Sequence, residues 1–185
     1  QTISIEPIPS TIEHLKNNVS INSIEDKVEI HNIGLGAKEG FLEFTKSLDT
    51  VNHVASPGEV DTLKVPIKTL NQICENKSPI LIKIDVEGFE TEVINGANEV
   101  LSKPTLQAII IELNGSGKRY GYNEELIHIK LMNLGFKPIN YNPIKREIHL
   151  LERYGDLNTV YIRDVNFVEN RITKTKHIKV VNNQF

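Results

Sequence analysis

Asp85 and Glu87 stand two residues apart where the apolar run 79–84 ends, and Gly88 and a helical pattern follow at once. In open α/β sheets ligands bind beyond the carboxyl ends of the strands. A buried strand ending in Asp-x-Glu-Gly therefore aims acid chemistry at a binding site. Alternation along the strand puts Lys83, Asp85 and Glu87 on one face if the strand continues that far. One of the acids can instead serve the following helix, because carboxylates suit helix N-termini. Lys83 lies within the apolar run, so burial and a partner are expected for it; Glu112, closing the next apolar run, is the candidate partner. The bland alternative for both is a structural ion pair.

Other residues could add to that chemistry. Glu6-Pro7 ends an early apolar stretch, and an acid at such a strand tip can accept hydrogen bonds from a ribose diol. The same residues also read as a helix-start signal. His53 lies in a polar segment, 47–59, read as a mobile loop that delivers it as a general base. His14, His31, His128, His149 and His177 lack metal-ligand spacing, and with one cysteine no zinc site is expected. Asp85 and Glu87 could hold a hard divalent ion, but two acids are thin support, and no metal is assigned. Gly34-Leu35-Gly36 is not a dinucleotide fingerprint, since Glu39 stands where the third glycine belongs. Small residues there could let an adenine ring approach. Gly115-Ser116-Gly117-Lys118 is not a phosphate loop, because its first glycine would fall on Glu112.

The elements that must position these groups alternate between strand and helix, which predicts a mostly parallel sheet with crossover helices. Strands are expected at 2–5, buried, and at 27–32, 80–84 and 106–113. The segments 41–45 and 62–67 form an antiparallel pair near a sheet edge, because Pro66 cannot donate to a ladder. Residues 136–140 and 158–163 make the last strands, antiparallel neighbours. Helices begin at 9–11, at Leu70 behind a Thr69/Gln72 capping box, at 89–101, and at 124–134 between Asn123 and Gly135. Residues 114–122 form a Gly-rich loop. Residues 165–185 are a polar surface extension.

The 185 residues suit one domain with a core. A net charge of −3, from 24 acids and 21 bases, argues against bulk nucleic-acid binding. No apolar run spans a bilayer, so no membrane partner is expected. Cys74 is the only cysteine, which points to a reducing, cytoplasmic setting.

Residues 2–9 (Thr-Ile-Ser-Ile-Glu-Pro-Ile-Pro), 15–18 (Leu-Lys-Asn-Asn), 81–97 (Leu-Ile-Lys-Ile-Asp-Val-Glu-Gly-Phe-Glu-Thr-Glu-Val-Ile-Asn-Gly-Ala) and 109–112 resemble, in order and spacing, the FkbM family of S-adenosylmethionine-dependent methyltransferases. The resemblance covers roughly residues 1–113. It implies a Rossmann-like class I methyltransferase sandwich, whose mostly parallel seven-stranded sheet ends in an antiparallel strand. It implies methyl transfer to a hydroxyl of a sugar or other small molecule. Glu6 would bind the cofactor ribose, with Pro7 beside it among the cofactor-binding residues, and Ile33 and Gly34 would flank the adenine. Lys83, Asp85, Glu87 and Glu112 would line the reaction site, with Asp85 also near the cofactor. Two departures stand out. The family's usual Leu-Asp before the mid-chain helix is Leu70-Asn71 here. The first strand and its glycine-rich loop should precede Glu6 by one βα unit and are not in the chain. The expected organisation is therefore a catalytic domain over 1–164 lacking that unit, with an extension over 165–185 and a gap between strands 2–5 and 80–84. The alternative is a non-catalytic, degenerate Rossmann-like module that binds a sugar or a protein partner.

Overall fold

Side-chain hydrogen bonds explain where several of the helices start. In the computed structural model, which describes residues 1–155, 157–176, 179–180 and 183–184, the elements run β1 (Thr2–Ile5), α1 (Pro9–Ile21), β2 (Val28–His31), β3 (Gly34–Leu35), β4 (Gly40–Thr45), β5 (Thr62–Lys68), α2 (Leu70–Ile73), β6 (Leu81–Ile84), α3 (Glu90–Asn95), α4 (Asn98–Ser102), β7 (Ala108–Glu112), α5 (Glu124–Asn133), β8 (Lys137–Asn142), β9 (Glu147–Leu150), β10 (Asn158–Ile162) and α6 (Val165–Lys174). The expected capping box is present: Thr69 Oγ1 accepts from Gln72 N at 3.1 Å, and Thr69 N donates to Gln72 Oε1 at 2.8 Å. Asn123 caps α5 by accepting from Glu125 N at 3.1 Å. Gly135, at φ +85°, ends that helix.

The chain groups into two compact units, Gln1–Glu75 with Thr91–Asn98, and Asn76–Glu90 with Glu99–Phe185. In the first unit β1 and β2 pair in parallel, Thr2 opposite Val28 and Ile5 opposite His31. A separate sheet has the order β3-β5-β4, with β4 antiparallel to β5 as expected. Pro66 sits on the middle strand of that sheet rather than on an edge. It is tolerated because β3 is so short that it pairs only with Ile67 and Lys68. Ile8, Ile12, Phe44, Val65, Ile67, Leu70, Val93 and Ile94 form this unit's core. β1 itself is only half-buried, not buried as its composition suggested.

The second unit holds a five-stranded sheet in the order β6-β7-β10-β8-β9. β6 and β7 are parallel, and β10 runs antiparallel to both β7 and β8, which confirms the expected pairing of the last strands. The hairpin partner β9 was not foreseen. Asn142 Oδ1 builds its turn by accepting from Ile144 N and Lys145 N at 3.1 and 3.0 Å. β7 buries Ile109 and Ile111 completely and leaves its other face half-covered, so its long apolar run does not mean two fully covered faces. Leu106, Leu131, Phe136, Tyr161 and Ile162 complete this core, and the Tyr161 hydroxyl lies 2.8 Å from His128 Nδ1.

β1 and β6 belong to separate sheets, in keeping with the gap expected between strands 2–5 and 80–84. One further expectation changes. The helix expected over 89–101 is broken into α3 and α4 at Gly96. A Cβ on Gly96 would lie 2.1 Å from the Gly36 carbonyl oxygen, and the Gly96 carbonyl accepts from Asn71 N at 3.1 Å instead of continuing a helical ladder. The extension from residue 165 opens with a helix: Asp164 caps α6 by accepting from Phe167 N at 2.9 Å. His177 lies outside the described residues. Among the described residues no helix is long and apolar enough to cross a membrane.

Candidate active site

β6 ends at Ile84, and the chain then makes a tight turn. Phe89 N donates to Val86 O at 3.2 Å, and both central residues have positive φ, +52° at Glu87 and +101° at Gly88. Glycine takes that conformation freely. For Glu87 it costs on the order of 1–2 kcal/mol, and residues held so against their preference cluster at functional sites. Gly88 is fixed by more than φ, since a Cβ would sit 2.7 Å from the Ser116 carbonyl oxygen. The parallel register pairs Ile84 with Ile111, so one step further on Asp85 comes alongside Glu112. Asp85, Glu87 and Glu112 thus form one cluster, with a carboxylate oxygen from each within 4.8 Å of the others.

Like charges this close cannot all ionise independently. Glu112 is held above the usual carboxylate range, first by desolvation, then by the charge of Asp85 and a hydrogen bond with it, and by the charge of Glu87. An Asn114 side-chain hydrogen bond acts in the opposite direction. The cluster therefore suits holding a proton. Its three oxygens could also be shared by one hard divalent ion.

Lys83 is not the buried cation its sequence context suggested. Its side chain is 54% exposed, and its ammonium pairs with Asp85, not Glu112. On the face carrying Leu81 and Lys83 the neighbouring β7 is also only half-covered, so that face is left open even though its composition resembles a core strand.

Two buried acids were missed by the sequence reading. Glu90, 1% exposed, is the first residue of α3 and turns back into the β6 turn; its Oε1 accepts from Val86 N at 3.0 Å and Gly88 N at 3.3 Å. Glu124, 8% exposed, is the first residue of α5. It accepts from Gly115 N with both oxygens, at 3.0 and 2.9 Å, and from Gly117 N at 3.2 Å. Burial raises the pKa of Glu90, and the charge of Glu124 adds to the rise. The signal available in the sequence was a Glu opening each helix directly after a Gly-containing loop. The loop at 114–122 also brings Tyr120 and Tyr122 to Phe89, with ring centroids 5.3 and 6.2 Å from it.

In the first unit, the half-buried Glu6 follows β1 and accepts from Ile8 N at 2.8 Å, so it serves the start of α1. Desolvation raises its pKa against that hydrogen bond. The Glu6 and Pro7 carbonyls each accept from Asn32 Nδ2 at 2.9 Å, which ties the β1 and β2 ends together. Ile33 is half-buried beside them. Gly34 is buried, and a Cβ there would meet Ile67 Cδ1 at 2.6 Å and the Phe44 ring at 3.0 Å, so packing alone accounts for the glycine. His53 is buried instead of riding on a free lid. Its backbone N–H donates to Thr45 Oγ1 at 3.0 Å and its carbonyl accepts from Thr45 N at 2.9 Å. Its ring nitrogens lie 2.8 Å from the Val51 carbonyl and 3.1 Å from Glu59 Oε1. With an oxygen acceptor at each nitrogen, the ring has no spare lone pair facing outward.

The parallel pair β6–β7, the antiparallel β10 inserted beside β7, and an acid cluster at the carboxyl ends define a Rossmann-like α/β protein. The chain belongs to the FkbM methyltransferase domain family, whose pattern it matches over residues 1–138. Among solved structures, a methyltransferase FkbM from Methylobacillus flagellatus KT is similar, with a TM-score of 0.54 at 15% sequence identity, covering 86% of this chain and 36% of that one. The chain thus spans little more than a third of that relative's length. No curated protein matches it.

Proposed function

We propose that this domain transfers a methyl group from S-adenosylmethionine to a hydroxyl of a sugar or other small molecule, with Asp85, Glu87 and Glu112 as the acids that receive and deprotonate the acceptor. The observation carrying this reading is the convergence of three carboxylates at the ends of two adjacent parallel strands. When bound, the cofactor supplies an electrophilic methyl on a sulfonium. What the chain must add is alignment and removal of one proton from a poor nucleophile. A Glu112 carboxyl held high by its neighbours suits taking and passing on that proton, and Asp85 is hydrogen-bonded to it. Lys83, paired with Asp85, adjusts the charge of the cluster.

The residues present fit the cofactor's ribose. Glu6 spends one oxygen on Ile8 N, stays half-exposed, and retains acceptor capacity for a diol. Pro7 follows it in the chain as a further cofactor-binding residue, and Ile33 and Gly34, after Asn32, are the residues that would flank the adenine. The catalytic domain is assigned to residues 1–164, with 165–185 as its extension.

Calorimetric titration of the full-length protein with S-adenosylhomocysteine tests the reading. Saturable binding that persists in Glu112→Ala while methyl transfer disappears supports it. Absence of binding by the full-length wild-type protein overturns it.

A further inference from the structure

The acid cluster stands on two loops, and neither loop holds its shape through its own side chains alone. Each is braced by the first residue of the helix that follows. Glu90 turns its Oε1 onto Val86 N and Gly88 N, the amides flanking Glu87. Glu124 turns its carboxylate onto Gly115 N and Gly117 N, just past Glu112. Successive backbone N–H groups in turn conformations make a concavity suited to an anion. Here both concavities are filled by the chain's own buried carboxylates. The two loops also touch: Gly88 lies so close to the Ser116 carbonyl that a Cβ would stand 2.7 Å from it, and Phe89 meets Tyr120 and Tyr122 edge-on. A shift in either loop must move the other.

We propose that Glu90 and Glu124 are the positioning residues of the acid site, two carboxylates driven into the backbone amides of adjoining loops so that Asp85, Glu87 and Glu112 converge. The proposal deepens the functional reading above and rests on it for the word "acid site". The braces themselves stand on geometry alone.

The two are not equivalent. Glu90 uses only Oε1, and its buried Oε2 has no hydrogen-bond partner. An amide can replace it, leaving the carbonyl oxygen to accept both N–H groups. Glu124 uses both oxygens on Gly115 N, so an amide NH2 would face a donor. Glu90→Gln should therefore be silent and Glu124→Gln should not.

The experiment is amide hydrogen exchange and side-chain carboxyl titration by NMR on the wild-type chain and the Ala and Gln variants at both positions, without cofactor or acceptor. In Glu124→Ala the Gly115 and Gly117 amides should exchange roughly tenfold faster or more, while Ile109 and Ile111 in β7 stay protected. Added formate, the probe for the emptied concavity, should slow them again. In Glu90→Ala the Val86 and Gly88 amides should respond, and in Glu90→Gln they should match wild type. The Glu112 carboxyl titration should move in both Ala variants and return in Glu90→Gln. Unchanged loop amides, an unchanged Glu112 titration, or a Glu124→Gln indistinguishable from wild type would overturn the proposal. If an Ala variant fails to fold, the contrast between the Gln variants decides. A wild-type protein that binds no S-adenosylhomocysteine sinks the methyltransferase reading and leaves these outcomes intact.

Discussion

Acids stand at the ends of β1, β6 and β7, in two arrangements that are built differently. After β1 a single carboxylate, Glu6, is half-buried, caps the turn into α1, and has its pKa raised by desolvation with no other acid among the causes. After β6 and β7 three carboxylates crowd together, and the pKa of Glu112 is raised by its neighbours' charges as well as by desolvation. The first arrangement suits holding a neutral, polar ligand by hydrogen bonds. The second suits moving a proton. The sequence shows an acid at a strand tip in both cases; only the structure shows how many acids come within reach of one another.

The largest test of that contrast is kinetic. Glu112→Ala should lower kcat by about 10²–10⁴-fold with cofactor affinity unchanged, measured by methyl transfer and calorimetry. Glu6→Ala should do the reverse, weakening cofactor binding by about tenfold, roughly 1.4 kcal/mol, with kcat nearly intact. Equal effects on both parameters at both sites would erase the distinction.

Next come two glycines, Gly88 in the turn after β6 and Gly34 in the first unit. Gly88→Ala forces a Cβ against backbone at positive φ and should destabilise the protein by about 2–3 kcal/mol in denaturant titration. Gly34→Ala meets the mobile tip of Ile67 first and should cost about 1 kcal/mol. The third test uses pH. Glu90 has a raised pKa in the folded state, so the stability from its protonated form is complete below its ordinary 4.5 and is lost as pH rises through the raised value. Glu90→Gln should therefore gain stability relative to wild type as pH climbs from below 4.5 toward neutrality, which thermal melts across that range will read. A constant difference would contradict the assigned burial cost. The smallest effect belongs to Lys83→Met. An ion pair this exposed is worth within about 0.5 kcal/mol, so melts should barely change.

Much of this was legible beforehand, and the misses have definite causes. Strand β7, the Thr69 capping box and the Gly135 stop were readable because each depends on neighbours within a few residues. Lys83 is exposed against expectation because the composition of a strand does not tell which of its faces is covered. The helix over 89–101 was drawn unbroken because the Gly36 carbonyl that splits it lies some sixty residues away in the chain. His53 is buried where a mobile loop is expected because its anchor on Thr45 joins residues eight apart, which no local motif records.

The sequence by itself determined the family, the alternation of strands and helices, and the choice of Asp85, Glu87 and Glu112, because side-chain periodicity and short motifs are local properties. Only the tertiary structure decided that these three acids share one space, that Glu90 and Glu124 brace them, and that Lys83 faces water. Strand register, burial and backbone approach depend on residues far apart in the chain, and no local pattern records them.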